Sequence, residues 1–442
     1  MTPRETFGSR LGLLASVIGL AVGLGNVWRF PYMVGQFGGG AFLLLYLVIA
    51  ALVAVPALMG EWSLGRHTRR GPLGAYERAG APMGRALGWL LVAIVWVALG
   101  YYTNAIGWVV FHWVAQLLSP LGVGIDGAAI LPPETGVSLP ALGLQLLFTG
   151  GVLLLVASVL LRGVRSGIER ASKILTPLLF ATLLLVVARS ITLPNAWEGV
   201  RWLFTFEVAS LTPVVAAAAL GQVVFSVGLG GTHMVVYGSY MGDDTDIRAD
   251  AALTVLGDTG AGLLAGLAIF PAVFAYGLEP ASGPGLLFAT LPRVFEAMPA
   301  GWLFGALFFG GLSGAALLSG IAAYEVMVAG FTDSLGWSRK RAVWTVYVGC
   351  LVLAVPPMVN LEIFVPWDLI FGSGGQTFGA LVAVITVGWV VSRAARLEQV
   401  AGDRASRMDK ALIAWLRWVV PAAVLAAAAW WFASEVLGAS PG

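Results

Sequence analysis

The sequence has little charge, almost no cysteine and few histidines, and each scarcity removes a class of protein. Charged residues make up 11% of its 442 residues, against 59% hydrophobic ones. A soluble domain carries about 25% charged residues, so this composition excludes an ordinary soluble fold and fits a chain built for lipid. The single cysteine, Cys350, lies in an apolar run. It excludes a disulfide within the chain and reads as a small core residue. Three histidines, His67, His112 and His233, are too few and too scattered for a metal centre. A formal net charge of +2 gives no reason to expect a nucleic-acid partner. No paired catalytic carboxylates, metal cluster or nucleophile–histidine arrangement points to an enzyme.

What the sequence has in abundance is long apolar runs. A spanning helix needs about 20 mostly apolar residues. Eleven such segments occur, over 10–37, 41–66, 84–118, 141–161, 169–188, 212–240, 250–278, 301–332, 341–358, 365–391 and 411–437. The first follows Arg4 and Arg10 as a signal peptide would. It runs on into Asn26, Trp28 and Arg29 without a cleavage site, so it reads as a retained helix. Basic residues set the orientation. With the N-terminus in the cytoplasm, the cytoplasmic connections hold Arg66, Arg69, Arg70, Arg162, Arg165, Arg170, Arg339, Lys340, Arg341, Arg393 and Arg396 among others. The outer side keeps Arg29, Arg189, Arg201 and Arg293. Eleven spans then put the C-terminus outside. The fold expected is an all-α polytopic membrane protein.

Two segments read alike. Ala21-Val22-Gly23-Leu24-Gly25-Asn26 interrupts the first span, and Ser226-Val227-Gly228-Leu229-Gly230-Gly231 interrupts the sixth. An odd offset of five spans gives the copies opposite orientations, the layout of an inverted repeat with its binding site at the bilayer midplane. Glycine costs about 1 kcal/mol against alanine inside a helix, so both segments favour a break. Unwinding frees carbonyls for a cation and leaves half-helix ends whose dipoles attract an anionic group. Such backbone is tolerated at membrane depth only inside protein or beside a wet cavity.

These residues carry a resemblance. Arg10-Leu-Gly-Leu, Ala21 through Tyr32, Gly38-Gly-Gly-Ala-Phe42, Glu61-Trp62, Tyr101-Tyr102, Gly167-Ile-Glu-Arg170, Gly221-Gln222 through Ser239-Tyr240 and Trp337-Ser-Arg-Lys340 span nearly the whole chain. In them the sequence resembles the bacterial neurotransmitter:sodium symporters, sodium-dependent amino-acid transporters such as the bacterial leucine transporter. The resemblance implies a 5+5 inverted repeat with helices 1 and 6 broken at mid-membrane, in which helices 1, 2, 6 and 7 rock against helices 3, 4, 8 and 9. The first repeat would cover 1–188, an extracellular connection 189–211, the second repeat 212–392, and a cytoplasmic loop with helix 11 would cover 393–442. A first sodium would be held by the Ala21 carbonyl, Asn26, Ser226 and Asp258. A second would be held by the carbonyls of Gly19, Val22 and Ala315 with Ser319. Substrate would lie against Ala21, Gly23, Leu24, Gly25, Ser226, Gly228, Gly231, Ser319 and Ala323, with Tyr102 donating to its carboxylate and Phe225 as a lid. Arg29 and Asp368 match an outer gate pair near Gln222. Arg4 and Asp333 match an inner gate pair supported by Ser239 and Tyr240.

The departures from the family pattern shape the expectation. Gly23 stands where the family's monoamine carriers have aspartate, which leaves room for a substrate carboxylate and favours an amino acid. Asp258 supplies a fixed negative charge where other members rely on chloride, so no chloride requirement is expected. Leu318 replaces a hydroxyl ligand of the second sodium, which should be weakened or lost. A frame shifted by five residues, through Gly311-Leu-Ser-Gly314, would restore the usual motif, but the ungapped frame is preferred. Gly231, Gly228, Ala98, Ala105 and Ala323 replace larger or polar neighbours, so the pocket should be roomy, unless neighbours such as Met234 fold in. Gly167 and Pro177 form a Gly-x9-Pro spacing at the start of helix 5, where the family unwinds. Glu61 reads as a structural hydrogen-bonding carboxylate.

The expected function is therefore sodium-coupled, chloride-independent import of a bulky hydrophobic or aromatic L-amino acid by alternating access, with one or two sodium ions. The expected location is the inner (plasma) membrane, as a monomer or weak dimer. Alternatives are a transporter of the same fold driven by protons or one sodium, and a non-transporting solute sensor, against which the lack of an appended signalling domain speaks.

Overall fold

The computed structural model describes residues 5–280, 286–401 and 406–436. Among these, nine helices are long and apolar enough to cross a membrane unbroken. They are Gly40–Thr68 (span 2), Gly84–Leu121 (span 3), Leu139–Leu160 (span 4), Val164–Ser190 (span 5), Ile247–Ala275 (span 7), Gly301–Leu335 (span 8), Arg339–Val359 (span 9), Leu361–Val390 (span 10) and Arg407–Ser434 (span 11). Span 1 is a bent pair, Arg10–Ala21 and Gly25–Gln36, whose axes diverge by 52°. Span 6 comes as Pro213–Ser226 and His233–Ser239. Neither piece is long enough to cross alone, and together they complete the eleven apolar segments read from the sequence. Large side chains such as Leu147, Leu256 and Val352 are exposed on the outside of the bundle, as lipid-facing residues are.

The two breaks arise where the glycines stand. The first half of span 1 starts on Ser9, whose hydroxyl caps Gly12 N, and ends as Val22 turns extended (φ −80°, ψ 104°). The first half of span 6 starts on the Thr212 cap and stops at Ser226. Gly228 and Gly230 then take φ of +70° and +82°, and Thr232 takes +59° before the helix resumes. Gly230 is confined further, because a Cβ there would stand 1.7 Å from the Gln376 carbonyl of span 10. Only glycine fits so close a backbone crossing.

Two groups of helices hold the breaks. Spans 3, 4 and 9 are tied by buried amides. Asn104 donates to the Ala354 carbonyl (2.9 Å) and accepts from Thr149 (3.2 Å), while Gln145 donates to the Met358 carbonyl (3.0 Å) and accepts from Trp108 Nε1 (3.1 Å). Polar groups at membrane depth must find partners inside the protein, so these bonds fix the three helices to one another. Span 8 packs along spans 3 and 5. On the other side, span 2 and the inner half of span 6 meet backbone to backbone. A Cβ on Gly65 would lie 1.9 Å from the Val235 carbonyl, and one on Gly238 would lie 2.6 Å from the Trp62 carbonyl.

Span 5 opens with a π-type turn over Val164–Glu169 and carries Pro177 inside it. The Gly-x9-Pro spacing thus frames an irregular start in a continuing helix. The Glu169 carboxylate there accepts from Gly8 N (2.7 Å), Ser9 Oγ (3.0 Å) and Lys173 (2.6 Å), which ties span 5 to the chain entering span 1.

Candidate functional site

At the break of span 1, Asn26, Ser226 and Asp258 converge in a fully enclosed cluster. Asn26 Nδ2 donates to Asp258 Oδ1 (2.7 Å), the Asp258 carbonyl (2.9 Å) and Ser226 Oγ (3.0 Å). Ser226 Oγ lies 3.1 and 3.0 Å from the two carboxylate oxygens of Asp258. Asn26 Oδ1 meanwhile accepts from Gly23 N at 3.1 Å, so the amide closes the unwound turn. Asp258 is 0% exposed. Tyr46 of span 2 completes the cluster, donating to Asp258 Oδ2 at 3.1 Å. Sequence reading missed Tyr46, which lies in the apolar run between the Gly38–Phe42 and Glu61-Trp62 motifs and belongs to neither. An oxygen-rich set built on one carboxylate suits a hard monovalent cation, and the Asn26 amide donors sit on the carboxylate where such a cation's charge would act.

Beside this cluster lies a cavity bordered by Ala21, Gly23, Gly25, Tyr102, Phe225, Ser226, Gly228, Gly231, Ser319 and Ala323 among others. It leaves ≈ 90 Å³ for the centres of water-sized spheres. At about 10–15 Å³ per water on that measure, this is space for a cluster of waters or a small solute. A Cβ on Gly23 would stand 2.5 Å from Ser319 Oγ and 3.1 Å from Tyr102 Oη, so a side chain there would fill the space these hydroxyls face. Tyr102 Oη lies against Ser319 and the backbone of Leu24, at the head of the break.

Several residues expected from sequence stand differently in the structure. The space left by Gly228 and Gly231 is taken by His233, whose ring lies 2.0 Å from where a Gly231 Cβ would stand. The pocket is therefore narrower than the two glycines suggest, and the residue folding in is His233, with Met234 buried beside it. Arg29 does not reach Asp368 as a direct ion pair. Its guanidinium stacks over the Phe225 ring at 4.5 Å, while the Asp368 carboxylate meets the Tyr101 hydroxyl. Gln222 acts as a brace, with Nε2 donating to the Gly25 carbonyl at 3.0 Å. Glu61 accepts from Gly230 N at 2.7 Å and so holds the span 6 break. Pocket residues Val95, Leu99, Phe371 and Gln376 carry no sequence signal, because they lie on long unbroken helices.

Near the expected second sodium, Ser319 Oγ donates to the Leu20 carbonyl (2.9 Å) and lies 3.5 Å from that of Ala315. Leu318 Cδ1 would be 2.6 Å from a Cβ on Gly19. Ser313, the hydroxyl of the shifted frame, bonds the Phe309 carbonyl of its own helix. Val22 is buried at the same turn.

Of the expected inner gate, Arg4 lies outside the described residues. Asp333 accepts from Gly71 N at 2.7 Å, and its carbonyl accepts from Arg70 at 3.0 Å. Ser239 donates to the Val236 carbonyl. Tyr240 donates to Glu325 at 2.6 Å, and Arg339 pairs with the same buried carboxylate at 2.7 and 3.1 Å. Phe7 N bonds the Tyr240 carbonyl, and the Phe7 ring packs edge-on to Tyr237 and Tyr240. Glu325 was missed by sequence reading, since a lone glutamate inside an apolar helix carries no spacing signal. Together these contacts tie Phe7, span 6, span 8 and span 9 at one end of the bundle.

The model of the sodium:neurotransmitter symporter family matches residues 4–124 and 138–437. The chain belongs to that family. It is 37% identical over 354 residues to an uncharacterized sodium-dependent transporter, YhdH, of Bacillus subtilis, covering 79% of this chain and 77% of that one. The sodium- and chloride-dependent creatine transporter 1 of Oryctolagus cuniculus is 26% identical over 94% of this chain and 74% of its own length. Among solved structures, MhsT in complex with L-phenylalanine superposes with a TM-score of 0.86 at 33% identity, covering 97% of this chain and 100% of MhsT. Family membership and the apolar helices together make this a multi-pass, sodium-dependent membrane transporter.

Proposed function

We propose that this symporter carries an amino acid with a large apolar or aromatic side chain into the cell together with sodium, without chloride. The observation that carries the reading is the contact between cluster and cavity: Ala21 and Ser226 border the solute space, and Ser226 also bonds Asp258. An ion bound among Ala21, Asn26, Ser226 and Asp258 would thus lie next to the solute. Sodium entry requires the Asn26 amide to turn its oxygen toward the ion, which breaks the bond to Gly23 N and reshapes the turn that faces the substrate. The half-helix ends, with Tyr102, would receive the substrate carboxylate. The L-phenylalanine held by MhsT supports a substrate of this size. Asp258 stands as the fixed countercharge that removes the need for chloride.

Alternating access would then proceed by movement of spans 1, 2, 6 and 7 against the amide-tied spans. Arg29 and Phe225 would close the outer side, and Tyr240, Glu325, Arg339 and Asp333 the inner side. The test is uptake of labelled phenylalanine and leucine into proteoliposomes under a sodium gradient, with potassium and gluconate controls. Accumulation that requires sodium and ignores chloride is expected, and accumulation driven equally by potassium would refute the reading.

A second reading, of one sodium per substrate, is favoured by Leu318. Its methyl group packs onto Gly19 where a hydroxyl ligand would be needed, and a hydrocarbon cannot ligate sodium. Proton-driven transport through Asp258 is the variant of this reading that the sodium–potassium comparison separates.

A further inference from the structure

Spans 10 and 11 touch where span 10 ends. A Cβ on Gly388 would stand 3.2 Å from Arg417 Cα, and Trp389 Nε1 donates to the Arg417 carbonyl at 3.2 Å. Arg417 lies well inside span 11, about 15 Å along the axis from Arg407. Its guanidinium stands 4.5 Å from the Trp389 ring centre and 5.5 Å from that of Trp418, and the two rings meet edge to face at 4.4 Å. Trp389 and Trp418 are 47% and 59% exposed. On an apolar span that exposure faces lipid, and tryptophan favours the boundary between lipid and water.

The charge on Arg417 meets no anion. Among the described residues its side chain makes no hydrogen bond and no ion pair. Of its nitrogens only Nε is sealed, which leaves the terminal amino groups open to the surface. Two more arginines stand on the short helix Arg393–Ala401 that joins the two spans. Arg396 is buried and donates to the Val387 and Gly388 carbonyls, which holds it to the last turn of span 10. Burial, and then the charges of Arg417 and Arg393, hold its guanidinium below the ordinary value. Arg393 is exposed. None of the three pairs with a carboxylate among the described residues.

Like charges gathered without a countercharge repel, and more strongly beside lipid than in water. An anion from outside the chain removes that cost. Arginine forks match phosphate oxygens. The exposed tryptophan rings at the same spot give acyl chains a surface, which a free phosphate would not use. We propose that Arg393 and Arg417, with Arg396 adding its charge and Trp389 and Trp418 flanking them, bind the phosphate of an anionic phospholipid at the junction of spans 10 and 11.

The test is native mass spectrometry of the detergent-purified transporter, titrated with phosphatidylglycerol and with phosphatidylcholine of the same acyl chains. Phosphatidylglycerol is expected to bind at least about tenfold more tightly, and to lose about fivefold in affinity for each of Arg417→Gln and Arg393→Gln. Arg162→Gln, an exposed arginine just beyond span 4, should leave the affinity unchanged. Equal binding of the two lipids by the wild type would overturn the site. So would an equal loss in Arg162→Gln, which would mean diffuse surface charge. Inorganic phosphate displacing phosphatidylglycerol as well as the lipid displaces itself would overturn the lipid assignment. Should Arg417→Gln fail to fold, the exposed Arg393→Gln decides.

Discussion

Asn26 Nδ2 and Asp258 Oδ1, 232 residues apart in the chain, meet at 2.7 Å between span 1 and span 7. The amide holds a buried carboxylate at the proposed sodium position. This bond connects the unwound turn of span 1 to the carboxylate of span 7, a link through which the proposed ion and solute sites would be coupled.

Asp258→Asn removes that charge and leaves the shape nearly intact. Sodium affinity is expected to fall at least about tenfold, since a fixed countercharge beside a desolvated cation is worth more than one decade of binding. Sodium titration of substrate binding measures it. Uptake by the wild type should be equal in chloride and gluconate, and a chloride requirement would remove the role assigned to Asp258.

Leu318 predicts shallow sodium dependence. Wild-type uptake is expected to rise with sodium with a Hill coefficient near one. Leu318→Thr places a hydroxyl near Gly19 and should steepen the response or raise apparent sodium affinity. A wild-type response already showing two-sodium cooperativity would show that the second site survives without this ligand.

Gly23 faces Ser319 and Tyr102 with no space for a Cβ. Gly23→Ala is expected to weaken amino-acid binding about tenfold or more by occupying the solute space, with apparent sodium affinity lowered through the same turn. Equilibrium binding of labelled substrate at saturating sodium checks it, and unchanged affinity would place the carboxylate elsewhere.

Arg29 over Phe225 is a cation–π contact of about 0.5–1 kcal/mol when partly exposed. Arg29→Gln is therefore expected to speed substrate release about two- to fivefold, with a smaller effect on sodium affinity. Dilution-induced dissociation of bound substrate reads this directly.

The architecture was legible in the sequence because lipid imposes long apolar runs, and because the glycine repeats at Ala21–Asn26 and Ser226–Gly231 can serve only as breaks or close contacts. Asn26 and Ser226 were legible through their motifs and Asp258 through the family resemblance, and the structure brings all three together. Tyr46 and Glu325 were not, since each sits alone in an apolar helix and its partner comes from a distant span. His233 shows the limit most clearly. Its position three residues after Gly230 says nothing of a ring turned back over the break, because that depends on the left-handed Thr232 and on both glycines at once. The residues expected at the gates were legible as polar positions but not in their contacts: Arg29 finds an aromatic face and Gln222 a backbone carbonyl, choices set by packing across helices.

Coupling of sodium to an amino acid at the paired breaks is best tested by thermal unfolding of the purified transporter with amino acids in sodium and in potassium. A ligand at one hundred times its Kd stabilises the native state by about 2.7 kcal/mol. Stabilisation by aromatic amino acids in sodium, absent in potassium and lost in Asp258→Asn, is the result predicted. Equal stabilisation in both salts, or none by any amino acid in sodium, would contradict it.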